Sequence, residues 1–197
     1  MYQENSKKTF TFATILSKPI FNQENITMQD SHFSVVFSAY NYVYALHLYN
    51  SFLQQKFQKY SLNKNSMTLT NIIMIPEKEI ITESIEIKMS SPLITRKHDR
   101  ETLKDMYYAF DRMEFKECLK VNISEQLQAE NLDLSLLKNF DITSINAKKA
   151  IIPVYEKMIE CSLGIFKLEG NKKLLDYLYK AGMGSKKAMG FGLFEIN

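Results

Sequence analysis

For its first 163 residues the chain contains no glycine. All six glycines (Gly164, Gly170, Gly182, Gly184, Gly190 and Gly192) fall in the last 34 residues, four of them within eleven positions. Glycine reaches backbone conformations closed to other residues, so a chain that withholds it and then groups it needs unusual backbone freedom at that place. Cysteine is nearly absent as well. Cys118 and Cys161 lie 43 residues apart, with no Cys-x-x-Cys and no clustered histidine. A disulfide scaffold and a zinc finger are both disfavoured, and a reducing cytoplasm fits best. Long apolar runs are missing too: pieces such as Ile72-Ile73-Met74-Ile75 fall far short of the roughly 18 residues that span a bilayer, so no membrane segment is expected. The opening residues Met1-Tyr2-Gln3-Glu4-Asn5-Ser6-Lys7-Lys8 lack the apolar region of a signal peptide.

What is present describes a globular protein. The 197 residues are 45% hydrophobic, 12% aromatic and 24% charged, enough to bury the core of one domain or two small ones and to exclude disorder as the main state. A net charge of +3 is too mild to name a polyanionic partner, but it is unevenly placed. Residues 138–197 carry ten Lys and no Arg against six acids, whereas residues 1–137 carry fifteen basic and sixteen acidic residues.

Periodicity gives a coarse outline. Residues 9–16 alternate and are rich in Phe and Thr, which reads as a strand, and 31–39 reads as a second, with a polar loop over 17–30 between them. From Asn41, a plausible N-cap, to Tyr60, apolar residues recur at helical spacing (42, 45, 46, 49, 52, 53, 57, 60). Residues 68–75 read as a strand ended by Pro76, and the polar stretch Pro76-Glu77-Lys78-Glu79 is the best boundary between units of 1–76 and 77–197. In the second unit, 81–89 is a strand broken at Ser90-Ser91-Pro92. Asp111-Arg112-Met113-Glu114 resembles a capping box opening a helix with apolar positions 115, 118, 119, 123 and 127. Strands over 140–145 and 154–168 flank a turn at Lys148-Lys149. A short helix capped by Asn171 ends at Gly182, and 190–196 is a last strand. The second unit therefore reads β(x)αββαβ, an elaborated ferredoxin-like pattern.

The tail Ala181-Gly182-Met183-Gly184-Ser185-Lys186-Lys187-Ala188-Met189-Gly190-Phe191-Gly192 carries the sharpest signal. Read as residues alone, it is either a glycine helix stop followed by a bulged strand or a backbone cradle for phosphate, with Ser185, Lys186 and Lys187 adding a hydroxyl and two cations. The spacing is not that of a Walker loop. The tail resembles the C-terminal glycine-rich loop of the CRISPR-associated repeat-RNA endoribonucleases, the Cas6 family. Three further stretches are similar to that family: Phe10-Thr11-Phe12, Ser90-Ser91-Pro92-Leu93-Ile94-Thr95-Arg96-Lys97-His98, and residues 159–170 before the last helix. Together they span the chain from about residue 8 to its end.

The resemblance implies an α+β protein of two tandem ferredoxin-like domains that binds a CRISPR repeat RNA and cuts it beside its hairpin to make crRNA. In such chemistry a general base activates a ribose 2′-OH, which attacks the adjacent phosphate; no metal and no cofactor is needed. It implies RNA contact for Gly182, Gly184, Ser185, Lys186, Lys187 and Gly190, and for the basic segment Arg96, Lys97 and His98. Other subunits of a CRISPR effector complex, or a second chain or homodimer partner, would then be candidates to cover the open sheet of the first domain. That domain lacks the leading strand and helix of a ferredoxin-like unit. The family's catalytic His belongs upstream of the Phe-Thr-Phe strand, and no His precedes Phe10, so the catalytic residue is left open.

Of the three histidines, His47 lies off the apolar stripe of its helix and His32 begins a strand, which points to solvated roles for both. His98 reads equally as a solvated loop residue or an RNA contact. Tyr2 lies near where the absent helix would end. Tyr42, Tyr49 and Tyr60 fall on the helix stripe and are expected to pack; Tyr44 does not, and tyrosines can also stack on bases. Tyr107-Tyr108 belong to a strand or its edge, and Lys148-Lys149 sit at an exposed turn. Two functions compete with an RNA-cutting enzyme: a non-catalytic repeat-RNA-binding module of an effector complex, and a structural subunit of the same fold.

Overall fold

The computed structural model describes residues 9–22, 25–99, 101–155 and 157–197. Tyr2 lies outside them. Strand β1 (Phe10–Leu16) leads through a short hairpin, β2 (Ile20–Phe21) with β3 (Ile26–Thr27), to β4 (Phe33–Ala39), which returns antiparallel to β1. The stretch expected as plain loop thus contains a small hairpin. Asn41 then caps helix α1 (Tyr42–Gln54), its Oδ1 accepting from the N–H groups of Val43 at 3.0 Å and Tyr44 at 3.1 Å. The helix stops at Gln54, six residues before the expected end at Tyr60 and with no buried residue. The tyrosine assignments are corrected accordingly: Tyr42 is 80% exposed, while Tyr44, off the predicted stripe, stacks on Phe10 with ring centroids 5.5 Å apart. The sheet beneath α1 is two strands wide among the described residues, so it cannot cover the whole stripe.

Residues 59–68 form a hairpin, β5 (Lys59–Leu62) and β6 (Asn65–Thr68), where helix and then a strand over 68–75 were expected. Apolar content alone suggested that strand, but Ile73, Met74 and Ile75 find no pairing partner and stand in irregular chain.

The remaining chain builds the main core. It runs through β7 (Ser84–Met89), a hairpin of β8 (Thr95–His98) and β9 (Asp105–Tyr108), and helix α2 (Phe115–Ala129). It continues through β10 (Asp141–Val154), β11 (Lys157–Glu169), helix α3 (Lys172–Ala181) and β12 (Phe194–Ile196). The sheet order is β10-β11-β7-β12, antiparallel throughout. This is the ferredoxin-like arrangement, with the first strand inside the sheet between the third and the fourth. Alternation in β7 sends Ile85, Ile87 and Met89 inward, where they meet Phe115, Leu119, Ile123 and Leu127 of α2 and Leu174 and Leu178 of α3. Each such side chain contributes about 1.5–3 kcal/mol on burial.

Three local expectations are corrected. Lys148-Lys149 are not at a turn but in mid-strand of β10, where Lys149 pairs with Asp111 (2.9 Å) and the strand partner reaches back from Lys157. Asp111 is therefore engaged by Lys149, and α2 starts at Phe115 with no side-chain cap, so the capping box does not form. The last strand is confined to Phe194–Ile196, because residues 187–189 take a 3-10 turn. Cys118 and Cys161 are both free and buried, and burial pushes each thiol up to about 11. No described helix is long and apolar enough to cross a membrane.

The two sheets meet at the glycine-rich loop. Thr11 Oγ1 donates to Phe191 O (2.7 Å), Ser38 Oγ donates to Lys180 O (2.8 Å), and Tyr40 packs edge-on against Tyr177 at 4.8 Å between centroids. Gly192 has φ 78°, and a Cβ added there would overlap the Met183 carbonyl. Gly192→Ala should cost at least about 1 kcal/mol, seen as a fall in Tm of roughly 2 °C or more in a thermal melt.

Candidate nucleic-acid interface

Helix α2 positions the site. Beside its apolar stripe it carries Asn122 and Gln126, four residues apart and hence on one face, both buried. The Asn122 side chain accepts from Arg96 N–H at 2.9 Å and donates to Arg96 O at 2.7 Å, standing in for a neighbouring strand at the outer edge of β8. One turn on, Gln126 Nε2 donates to Gly184 O at 2.6 Å. One helix face thus holds the β8–β9 hairpin and the glycine-rich loop against each other.

The loop spends most of its donors on itself and its neighbours. Gly182, at φ 75°, ends α3 with its N–H on Leu178 O. Met183 N–H donates to Gly192 O, Ser185 N–H to Ile94 O, Gly190 N–H to Lys187 O and Gly192 N–H to Pro92 O. The glycines serve close approach: a Cβ on Gly182 would lie 2.6 Å from Thr11 Cγ2, one on Gly184 2.7 Å from Leu93 Cδ1, and one on Gly190 2.8 Å from the Phe12 ring.

The two lysines part company. Lys187 is 6% exposed and turns inward, where it offsets the effect of burial on Glu130, whose carboxyl is held above its usual range. Lys186 adopts the left-handed conformation (φ 57°), a strain of about 1–2 kcal/mol for a residue with a Cβ. That turn sends its ammonium over the Tyr107 ring, 5.9 Å from the centroid. Partial burial, with Arg96 nearby, lowers the Lys186 pKa from its ordinary value, and Lys157 adds to the repulsion.

The basic segment expected as a loop is strand β8, and the correction matters because strand alternation sorts its side chains. In the hairpin register His98 faces Asp105 and Arg96 faces Tyr107, so these four share one face, and Lys97 takes the other. His98 Nδ1 lies 2.8 Å from Asp105 Oδ1; Asp105 Oδ2 accepts from Tyr107 OH at 3.1 Å and from Arg96 at 3.4 Å. Partial burial of Asp105 opposes its charge, but its bond to His98, with Arg96 and Tyr107, wins and holds the carboxyl below the usual range. Burial, with the Asp105 charge, pushes the Tyr107 phenol up to about 12. A cleft of about 190 Å³ opens beside this face, lined by Arg96, Asn122, Gln126, Gly184, Lys186 and Lys187.

Arg96, His98 and Lys186, drawn from segments ninety residues apart in sequence, are thus brought to one place. Of the predicted glycines Gly184 lines the cleft, while Gly182 and Gly190 pack against Thr11 and Phe12. Ser185 ties the loop to Ile94 through its backbone, Lys187 lines the cleft but is almost wholly buried, and Lys97 takes the other face of the hairpin. Asp105, Asn122 and Gln126 were not singled out in the sequence; two amides four residues apart beside an apolar stripe are the signal that finds the last two. Among the described residues no three His, Cys, Asp or Glu side chains group as metal ligands would. His32 Nδ1 lies 3.3 Å from Ser31 Oγ, and His47 is exposed on α1.

Asn122→Ala would strip the partners from Arg96 N–H and C=O at once. The expected loss is about 1–3 kcal/mol, read as a lowered urea midpoint at unchanged m-value.

The family model described as "CRISPR associated protein Cas6, C-terminal" matches residues 75–196, well over half of the chain. No curated protein matches it. Among solved structures, a Cas6-related gene product from Pyrococcus furiosus is similar at 21% identity and a TM-score of 0.85, covering 98% of this chain and 80% of that one. An RAMP protein described as binding different RNA substrates aligns at 20% identity and a TM-score of 0.82, over 98% and 81% of the two chains. A Cas6 product complex aligns at 12% identity and a TM-score of 0.67, over 98% and 84%. These likenesses agree with the antiparallel ferredoxin-like fold, and the extent of the family match shows that the chain belongs to the Cas6 family of CRISPR-associated proteins.

Proposed function

We propose that the chain binds CRISPR repeat RNA at the face shared by the β8–β9 hairpin and the glycine-rich loop, and cuts it there to release crRNA. The observation that carries this reading is the convergence of Arg96 and Lys186 on one cleft, with Lys186 held in a strained conformation and its ammonium over the Tyr107 ring. Strain of this kind persists where surrounding structure enforces it, commonly at functional sites. Guanidinium and ammonium groups suit phosphate oxygens, and the half-buried Tyr107 ring stands beside them.

Cleavage follows the chemistry of a ribose 2′-OH attacking its own 3′ phosphate. The O2′–P bond forms, the P–O5′ bond breaks, and a 2′,3′-cyclic phosphate and a 5′-OH result. Arg96 and Lys186 would counter the charge that builds on the phosphoryl oxygens. No step requires a metal.

The first test concerns binding. Lys186→Gly relieves the left-handed strain, so Tm should stay level or rise. Affinity for a labelled repeat hairpin should nevertheless fall, and the slope of log K against log salt should flatten by about 0.7–0.9. Unchanged affinity and slope would remove the loop from the interface.

The second concerns chemistry. The chain should cut the hairpin in excess EDTA, and one 2′-deoxy substitution at the scissile nucleotide should abolish cutting while leaving affinity intact. Tight binding with no cleavage would favour the non-catalytic repeat-binding module.

A further inference from the structure

We propose that His98, oriented by Asp105, is the proton-transfer group of this cleavage, an assignment that rests on the endoribonuclease reading above. Removing a proton from a 2′-OH requires a base in contact with it, and imidazole is the side chain best suited near neutral pH. The three histidines differ sharply in surroundings. His47 lies on exposed helix α1, where Ser51 Oγ donates to its backbone carbonyl. His32 stands beside a serine hydroxyl at 3.3 Å. His98 is held by a carboxylate, at 2.8 Å, a contact neither of the others makes among the described residues, and has cations beside it.

The geometry around it is that of an oriented base. A carboxylate only accepts hydrogen bonds, so Asp105 fixes the proton on His98 Nδ1 and leaves the lone pair on Nε2. Asp105 cannot swing away, because its other oxygen is held by Tyr107 OH at 3.1 Å and by Arg96 at 3.4 Å. The strand register enforces the arrangement, opposing His98 to Asp105 and Arg96 to Tyr107. The His98 side chain is 45% exposed, so a ribose can reach it. Among the described residues, the charged and titratable groups around this face include Arg96 of β8, Asp105 and Tyr107 of β9, Lys186 of the loop and Lys157 of β11. Base, orienting carboxylate and phosphate-binding cations therefore stand together on the β8–β9 hairpin and the glycine-rich loop, away from the segment upstream of Phe10 where the family resemblance puts the catalytic histidine.

The proton balance is simple. Nε2 takes the 2′-OH proton as O2′ bonds to phosphorus, and the departing O5′ takes a proton from water as the P–O5′ bond breaks. The imidazolium returns its proton to solvent after product release. Nothing is oxidised or reduced.

The test uses the full chain and a labelled repeat hairpin in EDTA under single-turnover conditions. His98→Ala should slow cleavage by about 10²–10⁴-fold, far more than it changes RNA affinity, and added imidazole should restore part of the rate. Asp105→Asn should slow cleavage by itself yet cost nothing further in the His98→Ala background, the mark of a residue that acts through His98. Cleavage by His98→Ala at the wild-type rate would overturn the assignment. So would a matching fall in affinity that imidazole does not rescue, since His98 would then be a binding residue. If the unaltered chain binds the hairpin but does not cut it, the endoribonuclease reading fails first and takes this assignment with it.

Discussion

Two buried amides on one face of α2 hold the functional surface together. Asn122 closes the edge of β8 and Gln126 grips the carbonyl of Gly184. Burying polar groups is costly unless they are hydrogen-bonded, and an apolar side chain at either place would leave main-chain groups of the hairpin or the loop without partners. β8 and β9 pair with each other outside the four-stranded sheet, and their ends are tied to β11 through Ser162, which bridges Leu93 and bonds Phe110 N–H. Together with the Ser185 N–H bond to Ile94 O, the amides set the separation of Arg96 and Lys186.

The glycine-rich loop is best understood through what its glycines touch. Phosphate loops bind through free backbone N–H groups, but here the N–H groups of Met183, Ser185 and Gly192 are committed to Gly192 O, Ile94 O and Pro92 O. Missing side chains let the loop lie against Thr11, Phe12 and Leu93 at distances no Cβ would allow. For the proposed RNA surface, the loop would therefore contribute one strained lysine on a tightly packed seam rather than a ring of amides.

Much of this was legible in the sequence. The second unit's order of elements follows from alternation at 85, 87 and 89, helical spacing at 115, 119, 123 and 127, and the caps Asn171 and Gly182, all set by local chemistry. What local chemistry does not encode was misread. Lys148 and Lys149 look like a turn because lysines favour solvent, yet Lys149 is neutralised in mid-strand by Asp111 and Glu160, which are far away in sequence. The α1 stripe looks like a core face, but its burial depends on how wide the sheet below it is. The convergence of Arg96, His98 and Lys186 was half visible: the residues were picked out separately, while Asp105, which joins two of them, shows only once the hairpin register is known.

The seam at Gly182 and Gly190 has a thermodynamic consequence. Thr11 and Phe12 of β1 rest on the same loop that presents Lys186. A ligand that holds the loop therefore also holds the first sheet on the second, and the stabilisation grows as RT ln(1 + [L]/Kd), about 2.7 kcal/mol at a hundredfold excess over Kd. Linkage runs equally in reverse: substitutions in β1 that loosen its seat, even ones distant from any nucleotide, weaken the ligand by the free energy that couples seat and loop, so that the sheet with the poorest core of its own is the one whose order depends most on occupancy.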